Sequence, residues 1–266
     1  MSIQELVIVS SPRSGTNFFC ECVGALQGAK AYFEILNPAG VFGITDAATL
    51  HALNEGFGTQ AENAQDKDLI HAFRADPMRG IDILRDDATS RGQSLISYKI
   101  FPGQASLEMM GKIFSRENVA VIQIVRQRLD TFISYEKART KNVWHNKDTT
   151  DLLVSVDVDA FLKWARTLDK WHIENSNLIS KHDIPRSIWT YKKDINIPKA
   201  DVVEKIQKFV AQNGVFRNIT PKVQDNRFSR QDIRSDPFEK IANGEKLREE
   251  LNDRGVYDYA RSEPLI

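Results

Sequence analysis

The sequence predicts a single α/β domain with a central, mostly parallel sheet and flanking helices, and three observations carry that expectation. Leu6-Val7-Ile8-Val9 is a short unbroken apolar run, the pattern of a strand buried on both faces. Val119 to Val125, reading VAVIQIV, is a second and clearer run of this kind. Strand-like runs then alternate with stretches of helical periodicity along the chain, as parallel strands joined by crossover helices require.

The elements follow in order. After the first strand comes a polar turn, Ser10 to Asn17, and then Phe18, Phe19, Cys22, Val23 and Leu26 at helical spacing. Residues 45–90 alternate charged and apolar positions helically, with Pro77 and Gly80 reading as an interruption. Ser94 to Phe101 is β-like, and Leu129, Phe132 and Ile133 begin a helix behind the second buried strand. A long helix fits residues 157–180, with Phe161, Trp164, Leu168 and Trp171 on one stripe. Ser187 to Tyr191 reads as a further strand, and 199–213 as a helix with Val202, Val203, Ile206, Phe209 and Val210 facing inward. A polar, basic stretch occupies 217–236, and Glu245 to Leu251 is helical with Asn243 as its expected N-cap. No repeat, low-complexity tract or linker divides residues 1–266, so one domain is expected.

The composition narrows the function. Lys plus Arg and Asp plus Glu both number 36, so no global field draws in nucleic acid or an anionic membrane. An anion site must be a local cluster. No apolar stretch approaches the roughly 20 residues of a membrane span. The first ten residues read as a strand and not as a signal peptide. Cys20 and Cys22 stand two apart in a helix, where side chains diverge, so neither a disulfide nor a metal pair is expected. The expected setting is cytoplasmic and reducing.

The turn Ser11-Pro-Arg13-Ser14-Gly15-Thr16-Asn17 carries the most chemistry. A glycine between strand and helix lets backbone N–H groups face an anion, and the helix end adds partial positive charge. Arg13 brings a fork of donors, and Ser14, Thr16 and Asn17 bring polar side chains. The spacing is not that of a Walker A loop, because no Lys follows Gly15 and Ser11 stands where the first Gly would be.

This turn resembles the 5′-phosphosulfate loop of the sulfotransferases that use 3′-phosphoadenosine 5′-phosphosulfate (PAPS), with Asn17 at the place where that family has Thr or Ser. A second motif of the family is a strand ending in Arg, followed eight residues later by a helical Ser. Arg126 and Ser134 stand at that spacing, with Leu129, Asp130 and Tyr135 also matching. The resemblance is to the bacterial and carbohydrate-type branch. It implies a P-loop-like sulfotransferase fold, PAPS as donor without a metal, and an acceptor that is a small molecule, a glycan or a lipid. Arg13, Ser14, Gly15, Thr16 and Asn17 would hold the 5′-phosphosulfate, and Arg126 and Ser134 the 3′-phosphate. Ile241 to Leu247 is similar to the family's C-terminal pattern, which would let Arg227 and Arg230 close over the nucleotide.

Transfer needs a base, and positive charge on the leaving oxygen. Lys99, in Ser97-Tyr98-Lys99-Ile100-Phe101-Pro102, resembles the family's strand-end Lys, but Phe101 replaces the catalytic His of the cytosolic branch. Glu34 lies where bacterial and carbohydrate members often carry a Glu, and is the expected base. Its neighbours Tyr32, Phe33, Ile35 and Leu36 would partly desolvate the carboxylate and strengthen its hold on a proton. His145 is the reserve base. Arg13 and Lys99 would stabilise the sulfonate and leaving oxygen. Two other readings suit the pattern: an ATP-dependent small-molecule kinase, and a non-catalytic nucleotide-binding protein on the same scaffold.

Overall fold

The computed structural model describes residues 4–141, 148–213 and 234–266. Five strands, β1 (Gln4–Ser10), β2 (Ala29–Ala31), β3 (Leu95–Ile100), β4 (Val119–Val125) and β5 (Arg186–Thr190), form one sheet in the order β2-β3-β1-β4-β5. Each neighbouring pair is parallel, so the α/β class read from the sequence holds.

Alternation along the strands explains the two layers. Val7 and Val9 of β1, with Val121 of β4, enter one core cluster; Leu6, Ile8, Ala120, Ile122 and Ile124 enter the other. The first cluster is covered by α2 (Ala47–Phe57), α3 (Lys67–Ala75), α4 (Pro77–Ser90), α5 (Leu107–Phe114) and the end of α7 (Val158–Lys181). The second is covered by α1 (Thr16–Gly24) and α8 (Lys199–Gln212). Each aliphatic side chain buried this way contributes on the order of 1.5–3 kcal/mol. A third cluster joins α6 (Arg128–Lys141), the start of α7, α9 (Gly244–Asp253) and α10 (Tyr257–Arg261).

The strand order positions the site. β1 lies between β3 and β4, and the chain leaves it first toward β2 and later crosses to β4. The connections therefore diverge at the carboxyl end of β1, where open parallel sheets leave a crevice for ligands.

The expected interruption at Pro77 is present: α3 ends at Ala75 and Pro77 opens α4, where the side chain of Asp76 accepts from the Arg79 N–H at 3.1 Å. Two local readings need correction. Gly80 sits inside α4, and a Cβ there would come within 2.5 Å of the Phe73 ring, so the glycine lets α3 and α4 pack closely. Asn243 occupies the N-cap position of α9 without capping it. Its amide instead pairs with the backbone of Val156, accepting at 2.9 Å and donating at 2.8 Å.

The third cluster encloses a polar knot. Arg128, 1% exposed, places Nη2 2.8 Å from Asp169 Oδ1, and the Tyr259 hydroxyl donates to Asp169 Oδ2 at 2.7 Å. Beside it His172 is fully buried, and among the described residues neither ring nitrogen has a hydrogen-bond partner. Burial, opposed by Asp169 and reinforced by Arg128, pulls His172 down to about 4. An unfolded chain binds this proton near pH 6.5, so between 6.5 and about 4 the unfolded state takes up more protons and stability falls as pH falls. The neutral ring's contribution is whole above that window. Urea melts should show wild type losing about 2–3 kcal/mol more than His172→Leu between pH 7 and 4.5. Parallel losses in the two proteins would show that His172 does not set acid stability.

Candidate active site

The carboxyl ends of β3, β4 and β5 bring Lys99, Arg126 and Tyr191 to the turn that follows β1, where an open parallel sheet leaves its crevice. Gly15, in the left-handed region with φ 81°, precedes α1, and no side chain among the described residues caps that helix end. The first N–H groups of α1 are thus directed at whatever occupies the crevice. A Cβ on Gly15 would come 2.7 Å from Ile195 and 2.9 Å from Tyr191, so the turn has room for glycine alone. Arg13 also has positive φ, 70°, a conformation that costs a non-glycine residue roughly 1 kcal/mol or more.

The two motifs meet here. Arg13 Nε donates to Ser134 Oγ at 3.0 Å, and Arg126 Nη1 donates to the Arg13 carbonyl at 2.8 Å. The Arg126 guanidinium carbon lies 4.4 Å from the centre of the Tyr191 ring. Asp130 stands 3.7 Å from Arg126 Nη2 and accepts from Lys240 Nζ at 2.6 Å. Burial pulls the Arg13 guanidinium down to about 10, and the neighbouring Arg126 adds to the shift. Two partly desolvated guanidiniums held together favour an incoming anion. Ser14 is buried, its hydroxyl 2.9 Å from that of Ser11, so it braces the turn from within.

Lys99, 1% exposed, links the turn to Glu34. Its ammonium donates to Asn17 Oδ1, lies 3.5 Å from Thr16 Oγ1, and pairs with Glu34 Oε1 at 3.2 Å. The rings of Phe33 and Phe101 flank it with centres at 5.3 and 5.0 Å. Glu34 Oε2 accepts from Asn37 Nδ2 at 2.7 Å and from Gln104 Nε2 at 2.9 Å. The surroundings expected for Glu34 therefore differ: Tyr32, Ile35 and Leu36 turn into the core, and the carboxylate meets polar donors.

Of the expected site residues, Arg13, Ser14, Gly15, Thr16, Asn17, Glu34, Lys99, Arg126 and Ser134 are brought to this crevice. Arg227, Arg230 and His145 lie outside the described residues. The sequence reading missed Gln104, Asn37 and Tyr191. Tyr191 directly follows β5, and in a parallel sheet each residue just beyond a strand's carboxyl end faces the crevice; that rule was the available signal. Gln104 lies four residues beyond β3, across a turn at Gly103, and carries no pattern of its own.

Cys20 and Cys22 are free and buried, and burial pushes their thiols up to about 11 and 12, consistent with packing. Among the described residues, no cluster of His, Cys, Asp and Glu of the kind that holds a metal ion is found, and no helix is long and apolar enough to cross a membrane. Two surface grooves of about 460 and 600 Å³ run along α7 near Val256 and share no residue with the crevice. Comparison with protein-family models and with curated proteins finds no match for the chain.

Proposed function

We propose that this chain is a sulfotransferase that moves a sulfuryl group from PAPS to an acceptor hydroxyl or amine. The observation that carries the reading is the meeting of the two resembling motifs, through Arg13 with Ser134 and Arg126 with the Arg13 carbonyl. Residues more than a hundred positions apart make one cationic cradle at a helix N-terminus, the form an anion site takes.

In this reading Arg13, Gly15 and the start of α1 bind the 5′-phosphosulfate, and Arg126 and Ser134 the 3′-phosphate. The acceptor O–H bond breaks as its proton passes to Glu34. The acceptor oxygen bonds to sulfur, and the bond from sulfur to the bridging oxygen breaks, its electron pair staying on the 5′-phosphate. Lys99 and Arg13 meet the charge that develops there, which is the work a metal does in kinases. The acceptor is proposed to be a small molecule, a glycan or a lipid, and the setting the cytoplasm.

The donor half is tested by melting. The product nucleotide, 3′-phosphoadenosine 5′-phosphate, should raise Tm without Mg²⁺, since a ligand at about 100 times its Kd adds roughly 2.7 kcal/mol of stability. ATP and ADP should add far less. Equal stabilisation by ATP, or a shift that requires Mg²⁺, would favour a kinase.

A further inference from the structure

We propose that Gln104 is the positioning residue of the Glu34 carboxylate, occupying Oε2 together with Asn37 so that Oε1 takes the acceptor's proton. The proposal rests on the reading of Glu34 as base.

The orientation of the Gln104 amide follows from its neighbours. Its Oε1 accepts from the Phe101 N–H at 2.9 Å, and a backbone N–H can be met only by the oxygen end of an amide. The nitrogen end is thereby turned to Glu34 Oε2, 2.9 Å away. Gln104's own N–H returns to the Phe101 carbonyl at 3.1 Å, so the turn between them is closed from both sides. Asn37 repeats the arrangement: its Oδ1 accepts from the Ala39 N–H at 2.9 Å, and its Nδ2 donates to the same Glu34 oxygen at 2.7 Å.

A carboxylate oxygen has two in-plane lone pairs, and Oε2 spends both on amides whose direction the backbone fixes. Among the described residues Oε1 meets Lys99 alone, at 3.2 Å, and a carboxylate oxygen with one such partner has capacity for another hydrogen bond. An acceptor hydroxyl there would give its proton to Oε1 while its oxygen faced the sulfonate near Lys99. Among the described residues, the groups facing Glu34 that carry or can acquire charge are Lys99 from β3 and the buried Cys20 thiol from α1. Neither duplicates the role of the two amides.

Two variants separate positioning from mere support of the turn. Gln104→Met removes both ends of the amide. Gln104→Asn keeps an amide one methylene shorter, which does not reach the Phe101 N–H and Glu34 together. In both, turnover should fall by about tenfold with affinity for the adenosine bisphosphate unchanged, and in a Glu34→Gln background the same changes should cost no further turnover. A further tenfold loss in the Glu34→Gln background, or unchanged turnover in Gln104→Met, overturns the positioning role and leaves the sulfotransferase reading intact. Normal turnover in Glu34→Gln alone shows that Glu34 is not the base, and the assignment of both residues falls.

Discussion

Glu34→Gln is expected to cut turnover by roughly 10²–10⁴-fold, the range for losing a general base, while the protein still binds donor. Gln preserves size and one acceptor oxygen, so the Asn37 and Gln104 amides keep a partner. What disappears is the negative charge. Lys99 then loses its ionic partner but retains Asn17 and Thr16, so the buried ammonium is not stranded. Tm should fall, because Lys99, 1% exposed, loses its charged partner. Donor binding should stay within about threefold of wild type and lean toward tighter, since a negative charge has left the edge of the proposed anion site. Initial rates against pH, with donor titrations beside them, check this. Near-normal turnover would move the search for a base to His145. Loss of donor binding would mean that Glu34 shapes the donor site.

Arg126→Ala should weaken binding of the bisphosphate by roughly 2–4 kcal/mol, the usual effect of leaving a sequestered phosphate without its charged partner. Arg126 also ties down the Arg13 carbonyl and covers the Tyr191 ring, so part of the loss comes from a looser turn. The apolar clusters do not include Arg126, and the free protein should lose only about 1 kcal/mol, the net value of one hydrogen bond. Arg126→Lys restores the charge but not the fork, and should recover part of the affinity. Isothermal titration of each variant decides the matter. Unchanged affinity in Arg126→Ala would return Arg126 to a structural ion pair with Asp130.

The buried strands were legible because a parallel sheet covered on both faces needs continuous apolar runs, and Val119–Val125 matches its observed limits. Strand β2 was not legible. Its three residues, Ala29-Lys30-Ala31, contain no β-branched side chain and hold their place by pairing with β3. The break at Pro77 was legible because proline opens helices but does not continue them, whereas Gly80 was misread because glycine breaks helices in isolation and here admits the Phe73 ring inside α4. In the site, the turn and the Arg126–Ser134 pair could be read because each has fixed local spacing. The polar holding of Glu34 could not, since Gln104 reaches it across 70 residues through a turn that only the sheet brings into place.

The central claim is transfer of the sulfuryl group, and one measurement addresses it directly. Donor labelled at sulfur is incubated with the protein and pooled carbohydrate, lipid and phenolic acceptors, in the presence of a chelator that removes divalent cations. The account predicts label covalently attached to one acceptor pool, formed in step with the adenosine bisphosphate and almost lost in Glu34→Gln. Tight binding of the bisphosphate with no label in any pool would contradict it and leave a nucleotide-binding protein without turnover.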